Sequence, residues 1–337
     1  MATHRQKPQF LHELRDIEYN SPLCYHRLSG MIIASPDVSM PLHARRTASA
    51  IIFLFLAVGV FAQSSDSIYR HPRELVRKAV ENEVNANNGS VRFMFRGTKA
   101  TPRGSTTKIY VETKEATAGV VVAYDGKPLT PTQRMDEQNR NERFLKYPDE
   151  LRKKKAQERE DAERTTRIIR ALPDAFVFQE DGEVPGSSDV GHIGDPLVKL
   201  KFRPNPNYRP PSHVEEVLTG MEGDLLVDAK HYRIASIDGT LFREVGFGWG
   251  ILGHLDKGGH FLVHQADVGE NTWEISRMTL KFTGKILFFK NLSIDSTEVY
   301  SDFRQVSPDL TFAQALELIK KQDVSSENPL VSKSAGR

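Results

Sequence analysis

Three histidines lie close together in the segment GHLDKGGHFLVH, namely His254, His260 and His264. Imidazole nitrogens are common protein ligands for zinc and related metals. Four residues along a strand span roughly 13 Å, so His260 and His264 cannot bind the same ion. If Lys257-Gly258 is a two-residue hairpin loop, His254 and His260 point to opposite faces of the sheet. A one-residue change of register would bring only two histidines together, so this segment alone predicts no metal site.

Four aspartates at predicted strand ends offer further reactive groups: Asp224, Asp228, Asp238 and Asp256. We interpret them as turn formers, because an aspartate side chain hydrogen-bonds readily to the backbone that follows it. The chain has no G-x-S-x-G, H-E-x-x-H or phosphate-loop motif, and its one cysteine is Cys24. We therefore expect no cofactor, no bound metal and no enzymatic activity. A hydrolase built from scattered His and Asp ranks third among the possible functions.

The sequence predicts helices in three regions of the chain. Residues from Pro72 are predicted to form an amphipathic helix, with Leu75, Ala79 and Val80 on one face and a stop at Asn88-Gly89. Residues 134–170 are dense in both charge signs and predict one or two solvent-facing helices, broken near Pro148. A last helix is predicted to begin with Ser307 as its cap and Pro308 at its first position.

The remaining segments predict strands. VRFMFRG alternates, which places Phe93 and Phe95 on one face and Met94 on the other. Two more strands follow before the charged helices, and six or seven come after Phe176. Predicted turns in that second group lie at Asp228–Lys230, Asp238-Gly239, Lys257-Gly258, Gly269–Asn271 and Thr283-Gly284. The order of elements predicts an α+β protein with one large antiparallel sheet and covering helices.

An apolar run from Ala50 to Ala62 lies behind Arg45 and Arg46. It is shorter than the roughly 20 residues of a bilayer-spanning helix and typical of a signal peptide, with small residues before a cleavage point after Ala62. We interpret 40–62 as a signal peptide and 1–39 as an upstream extension in front of the true start. The alternative is an uncleaved anchor. Cleavage would leave a periplasmic or secreted protein without a transmembrane span. The domain is then 63–322, followed by a disordered tail over 323–337.

Aromatic residues concentrate on the predicted strands. A curved sheet with few covering helices would present them as an apolar binding surface. The candidate ligand-binding residues are Phe93, Phe95, Tyr110, Phe247, Trp249, Phe261, Trp273 and Phe288. The alternative left open is that these side chains are the core beneath the helices.

Charge argues against a nucleic-acid partner. The chain has 46 Lys+Arg and 44 Asp+Glu, for a formal net charge of +2 at pH 7. Residues 63–337 carry equal numbers of acidic and basic residues. Such a chain has no strong positive field to attract phosphates.

The layout resembles the periplasmic LolA/LolB-type lipoprotein carriers and their lipoprotein-sorting-like relatives. The resemblance runs from about Pro72 to Phe303, and its most specific part is the predicted strand pair from Asp224 to Gly239. It implies a highly curved antiparallel sheet, an unclosed half-barrel, with helices as a lid and the charged 134–170 segment as an insertion. It also implies that the concave face holds acyl chains.

These observations lead to three hypotheses from different classes. The first is an exported, non-enzymatic protein that holds a lipid or an acylated protein ligand. The second is an envelope protein of the same fold with a filled core, which binds a protein partner through its charged helices or an edge strand. The third is the hydrolase. A sizeable cavity would favour the first, and three metal-ligating groups within reach of one ion would favour the third.

Overall fold

The structure is a computed structural model, and it describes residues 71–86, 91–247, 253–269, 271–286 and 290–327. Thirteen strands form one large antiparallel sheet that does not close into a barrel, and several helices accompany it. The predicted α+β class and the unclosed sheet are confirmed. The predicted extension 1–39 and signal peptide 40–62 lie outside the described residues.

The helices are α1 (Pro72–Ala86), α2 (Pro131–Lys146), α3 (Pro148–Ala175) and α4 (Phe312–Glu327), with a 3-10 helix at Glu215–Gly220. The first strands are β1 (Arg92–Thr101), β2 (Gly104–Val111), β3 (Ala118–Tyr124), β4 (Lys127–Pro128), β5 (Phe176–Pro185) and β6 (Pro196–Pro204). They are followed by β7 (Met221–Asp228), β8 (Arg233–Leu241), β9 (Val245–Phe247), β10 (Gly253–Leu255), β11 (His260–Asp267), β12 (Trp273–Ile286) and β13 (Lys290–Val306).

Along the sheet the strands follow the order β4-β3-β2-β1-β13-β12-β11-β8-β7-β6-β5. Strand β10 pairs with both β12 and β9. Strand β1 pairs with β13, so the first and last strands of the chain are neighbours within the sheet. The strand pair predicted between Asp224 and Gly239 is confirmed as β7 and β8, where Asp224 lies opposite Asp238.

Two predicted turns are wrong because their glycines serve close packing within strands. Asp238-Gly239 lies inside β8, where a Cβ on Gly239 would come within 2.8 Å of the Met221 sulfur. Thr283-Gly284 lies inside β12, where a Cβ on Gly284 would come within 2.1 Å of the His254 carbonyl oxygen. In both places the missing side chain lets a neighbouring strand approach.

The chain turns at Lys257-Gly258 as predicted, but this turn does not close a hairpin. Strands β10 and β11 both pair with β12, so the chain continues along one partner instead of reversing. The segment between them bulges out of the ladder. The Gly258 N–H donates to the Leu241 carbonyl at 2.7 Å, and the Leu241 N–H donates to the Gly259 carbonyl at 2.7 Å. These bonds to the end of β8 replace the ladder bonds that the bulge loses.

Helix prediction succeeded where the signal was local. The amphipathic helix from Pro72 is α1, and Leu75, Ala79 and Val80 are buried as expected. The break near Pro148 is confirmed, since α2 ends at Lys146 and α3 begins at Pro148.

The last helix begins later than predicted, at Phe312. Thr311 caps it, because its hydroxyl accepts from the Gln314 N–H while the Gln314 side chain accepts from the Thr311 N–H. That reciprocal capping box outweighs the Ser307-Pro308 signal. The helix extends to Glu327, beyond residue 322 where we expected the domain to end, and no glycine or proline interrupts it there.

Four apolar clusters form the core, and three of them are large. The helix-covered core packs α1 and the end of α3 on β5–β8, and its buried members include Leu75, Val76, Ile169, Leu172, Leu200, Phe202, Leu225 and Val227. The C-terminal-helix core packs α4 on β1 and β2, with Met94, Ile109, Val111, Phe312, Leu316 and Ile319. The aromatic cluster contains Phe93, Phe95, Tyr110, Met278 and Tyr300. Met94 therefore lies on the opposite face of β1 from Phe93 and Phe95, as the alternation predicts.

The charged helices face solvent over most of their length, as predicted, but α2 buries Glu137 and Asn141. Glu137 of α2 is 8% exposed, and its carboxylate accepts from the Val121 N–H of β3 at 2.7 Å. Arg140 donates to the Gly119 carbonyl at 3.0 Å and also pairs with Glu137. Strand β3 has only the two-residue β4 beyond it, so α2 protects an edge that would otherwise be open to another strand.

Helix α3 links the two helical cores. Leu151 near its start packs against the C-terminal-helix core, whereas Ile169 near its end is buried in the helix-covered core. These positions are roughly 27 Å apart along a helix. Within the described ranges, no helix combines the length and apolar character needed to cross a membrane.

Candidate functional site: an apolar cavity

A cavity of about 250 Å³ lies in the helix-covered core, between the last turns of α3, the 3-10 helix and the sheet. Its wall is almost entirely apolar. Five phenylalanines line it: Phe176, Phe178, Phe202, Phe261 and Phe282. Aliphatic side chains complete the wall, among them Ile168, Ile169, Leu172, Leu218, Leu225 and Ile237.

Helix and strand periodicity place these side chains on faces that point into the cavity. On α3, Ile168, Ile169 and Leu172 follow the helical spacing of one face. On β11, Phe261 and Val263 are two residues apart and share a face. The wall is thus assembled from segments that are distant in the sequence.

A β-bulge in β8 places two residues on the cavity face that regular strand alternation would place on opposite faces. In the β7–β8 pair, Leu226 lies opposite Ser236 and Val227 lies opposite Ile234, so Ala235 is an extra residue in β8. Ile234 and Ile237 consequently both face the cavity, although they are three residues apart.

Three polar residues interrupt the apolar wall: Glu83, Thr165 and Gln265. Glu83 of α1 is 1% exposed, and its carboxylate receives two hydrogen bonds from Arg233, at 2.8 and 3.0 Å. The Ile234 N–H donates to the same carboxylate at 3.0 Å. The guanidinium of Arg233 lies 5.5 Å from the centroid of the Trp273 ring. The charge of Glu83 is therefore fully compensated beside the cavity.

The eight aromatic residues proposed from the sequence are distributed over several sites. Phe261 lines the cavity, and Phe247 packs against the same helix-covered core. Phe93, Phe95 and Tyr110 lie in the aromatic cluster, which also adjoins Phe261. Trp273 packs with Leu197 and Ala235 in a separate small cluster. Trp249 and Phe288 lie outside the described residues.

Sequence reasoning missed four of the five cavity phenylalanines as site residues: Phe176, Phe178, Phe202 and Phe282. A signal for Phe202 exists, because Val198, Leu200 and Phe202 alternate in DPLVKLKFRP. That alternation shows a buried face, but it does not show that helix α3 leaves space above it.

A second group of polar side chains gathers at one end of β6–β8 and β11. We call it the His–Asp cluster: His192, Asp195, Asp228, His231 and Asp267. Its His192 and His231 rings are 5.7 Å apart between centroids. His192 Nε2 lies 3.7 Å from the Asp267 carboxylate, and His192 Nδ1 lies 3.4 Å from that of Asp195.

Asp228 organises this cluster. It is fully buried, and its carboxylate accepts from the backbone N–H groups of Lys230 and His231 at 2.9 and 2.8 Å. Its other oxygen lies 2.9 Å from His231 Nδ1. The turn-forming role predicted for Asp228 is confirmed, and the same side chain also orients an imidazole.

One ligand atom each from Asp195, Asp228 and His231 lie within 4.8 Å of one another, close enough for one metal ion. Lys230 Nζ already lies 3.0 Å from the Asp195 carboxylate and holds the pKa of that carboxyl below its usual value. A divalent ion would have to take the place of this ammonium group. A second set of three residues, Glu244, His254 and Asp256, meets the same distance limit and is more exposed. The three histidines of GHLDKGGHFLVH do not converge.

His264 predicts a pH dependence of stability. Burial lowers the pKa of its imidazole, with Arg277 acting in the same direction and Asp189 and Asp238 opposing it. The unfolded chain, with a histidine pKa of about 6.5, then binds a proton more readily than the folded chain. The free energy of unfolding should therefore fall as the pH drops through about 6.5.

We expect His264→Gln to reduce this loss of stability between pH 7.5 and 5.5, measured by urea unfolding at each pH. The exposed His71→Gln serves as the matched control and should retain the wild-type profile. An unchanged profile in His264→Gln would contradict the assignment.

Comparison with known proteins adds no relative: no protein-family model matches this chain, and no curated protein matches it.

Proposed function

We propose that this protein is an exported, non-enzymatic carrier that holds a lipid or an acylated protein ligand in the cavity of its helix-covered core. The observation that carries the proposal is an apolar space of about 250 Å³ with five phenylalanines in its wall. Protein interiors are close-packed, and voids larger than a water molecule are few. A space of this size and chemistry suits a hydrocarbon.

The volume sets the size of the ligand. An apolar cavity of about 150 Å³ holds benzene, which has six carbons, so this cavity has room for roughly ten carbons. Each buried methylene contributes about 0.8 kcal/mol of transfer free energy. One acyl chain of this length fits better than a two-chain lipid, whose second chain would remain in water.

The resemblance to LolA/LolB-type carriers supports the same function. In that arrangement the sheet curves into a half-barrel, and α1 and α3 act as the lid over its concave face. Opening would move the lid helices away from the sheet, and an acceptor that binds the open state more tightly would promote release. The apolar run from Ala50 to Ala62 supports export to the periplasm or beyond.

Native mass spectrometry tests the proposal directly. The full chain is expressed in a Gram-negative host, purified without detergent, and measured before and after extraction with organic solvent. We expect an extractable adduct with the mass of an acyl compound, on a chain that starts after Ala62. A chain with no adduct, and no mass shift when acyl compounds are added, would refute the carrier function and favour the envelope interaction protein with a filled core.

The same spectra address the hydrolase hypothesis, which the His–Asp cluster favours. Asp195, Asp228 and His231 place three ligand atoms within 4.8 Å, the arrangement that this hypothesis requires. A metal adduct that disappears on Asp195→Asn would favour a metal-dependent enzyme. An acyl adduct that persists in Asp195→Asn supports the carrier.

A further inference from the structure

Two polar side chains of the cavity wall, Gln265 and Thr165, make no hydrogen bond to the described residues, and Gln265 is the more buried of the two. Gln265 lies on β11, on the same face as Phe261 and Val263, and is 6% exposed. Its backbone carbonyl accepts from the Gly191 N–H at 2.7 Å, which anchors the strand at this point. Its side-chain amide makes no hydrogen bond to any residue that the structure describes.

An amide without a hydrogen-bond partner in an otherwise apolar wall is unfavourable, because few of its lost hydrogen bonds to water are replaced. Glu83 is not its partner in the structure, and the Glu83 carboxylate is held by Arg233 and the Ile234 N–H. Thr165 of α3 is the other hydroxyl or amide group in the wall. Gln265 lines the space in which we propose the ligand lies, so its unpaired amide is available to a bound ligand.

The charged groups in the cavity wall restrict the charge that a ligand can carry. Among the described residues that line the cavity, none is a lysine, arginine or histidine. Arg233 lies behind the wall and is already paired with Glu83. A ligand carboxylate would therefore lose its hydration without gaining a counter-ion, and it would lie in the same wall as the Glu83 carboxylate.

We infer that the cavity takes a neutral acyl compound, an ester or amide of a chain of roughly ten carbons, whose carbonyl oxygen accepts a hydrogen bond from the Gln265 side-chain amide. This inference rests on the proposed carrier function. It names the chemical class of ligand and assigns Gln265 as the residue that recognises it. The phenylalanines hold the hydrocarbon, and the amide distinguishes an acyl ester from a plain alkane. The lack of a cationic side chain among the described lining residues disfavours a free fatty acid anion.

Three ligands with closely similar chains test the inference: methyl decanoate, undecane and the decanoate anion. Each displaces the fluorescent probe 1-aminoanthracene from the full-length protein. Removing one neutral hydrogen bond changes an affinity by about tenfold. In Gln265→Leu we expect the affinity for methyl decanoate to fall by about tenfold and the affinity for undecane to stay the same or rise. Wild-type protein should bind decanoate at least tenfold more weakly than its methyl ester.

The matched control is Gln179→Leu, the same substitution at an exposed position of β5, which should leave all three affinities unchanged. If neither methyl decanoate nor undecane displaces the probe from wild-type protein, the carrier function itself fails. If both bind and Gln265→Leu affects them equally, the carrier function stands and the role of Gln265 is refuted. Decanoate binding as tightly as the ester would also overturn the inference.

A spectroscopic measurement covers the case in which Gln265→Leu does not fold. The ester carbonyl stretch of ¹³C-labelled methyl decanoate is recorded in complex with wild-type protein and compared with the same ester in hexane. A hydrogen bond from Gln265 should shift the band to lower wavenumber. A band at the hexane position would show an unbonded carbonyl and overturn the inference.

Discussion

Replacing Ile168 with Trp should lower the affinity for an apolar probe by at least tenfold while leaving the protein folded. Ile168 lies on the face of α3 that lines the cavity and is only partly buried. The indole is larger than the isoleucine side chain and would fill part of the 250 Å³ into which we propose that the ligand inserts. Filling a cavity restores packing contacts, so the melting temperature should stay the same or rise.

The adjacent Arg167→Trp is the matched control, because Arg167 is exposed on the other side of the same helix. Both variants are titrated with 1-aminoanthracene and melted in parallel. We expect Arg167→Trp to bind as wild type does. Equal affinity in Ile168→Trp and wild type would show that the probe binds elsewhere and would remove the cavity as the candidate site.

The largest effect on stability is expected from Arg233→Met. The side chain of Glu83 is 2% exposed and that of Arg233 is 12% exposed, so the pair is screened little by water. Removing only the guanidinium leaves a buried carboxylate without its counter-ion, which typically costs about 3–5 kcal/mol. Urea unfolding monitored by Trp fluorescence would measure the change in the free energy of unfolding.

The double variant Glu83→Leu/Arg233→Met tests the physical reason. Removing both charges should recover most of the loss, although the Ile234 N–H then lacks its acceptor. Arg73→Met is the surface control. Arg73 pairs with Asp174 but is 53% exposed, and its loss should cost less than about 1 kcal/mol. A double variant as unstable as Arg233→Met would show that the loss comes from packing rather than from the unpaired charge.

The affinity prediction for Ile168→Trp and the stability prediction for Arg233→Met test two different roles of the cavity wall. Ile168 contributes space, and Glu83 with Arg233 contributes a fixed boundary between α1 and β8. A carrier needs both, because a wall that collapses onto its ligand site when empty would have to be reopened for each new ligand. The paired charges also place α1 against the sheet, where we propose that it forms part of the lid.

Several features of the fold followed from local patterns. The face of α1, the break before Pro148 and the alternation of Phe93, Met94 and Phe95 all depend on residues within a few positions of one another. Helix period, strand period and the restriction that proline places on the preceding residue act over that range. The α+β class followed as well, because it depends on the order of such segments.

Two glycines were predicted to form turns and instead lie within strands, for the same reason in both cases. Gly239 and Gly284 resemble turn residues in the sequence, but in the structure each lies within a strand where another segment approaches closely. The absence of a side chain permits both a turn and a close approach, and the sequence does not distinguish them. The partner strand decides, and it comes from elsewhere in the chain.

Dependence on distant parts of the chain also separates what the sequence determined from what tertiary structure decided. The sequence determined that strand aromatics alternate and that both ends of the described chain are helical. Tertiary structure decided that Phe261 lines a cavity whereas Trp273 does not, and that Asp195 meets Asp228 and His231. Those outcomes depend on strand order, on the bulge at Ala235 and on where α3 crosses the sheet. Each is set by packing between segments that are far apart in the chain, and a shift of one residue in register reverses every side chain of a strand.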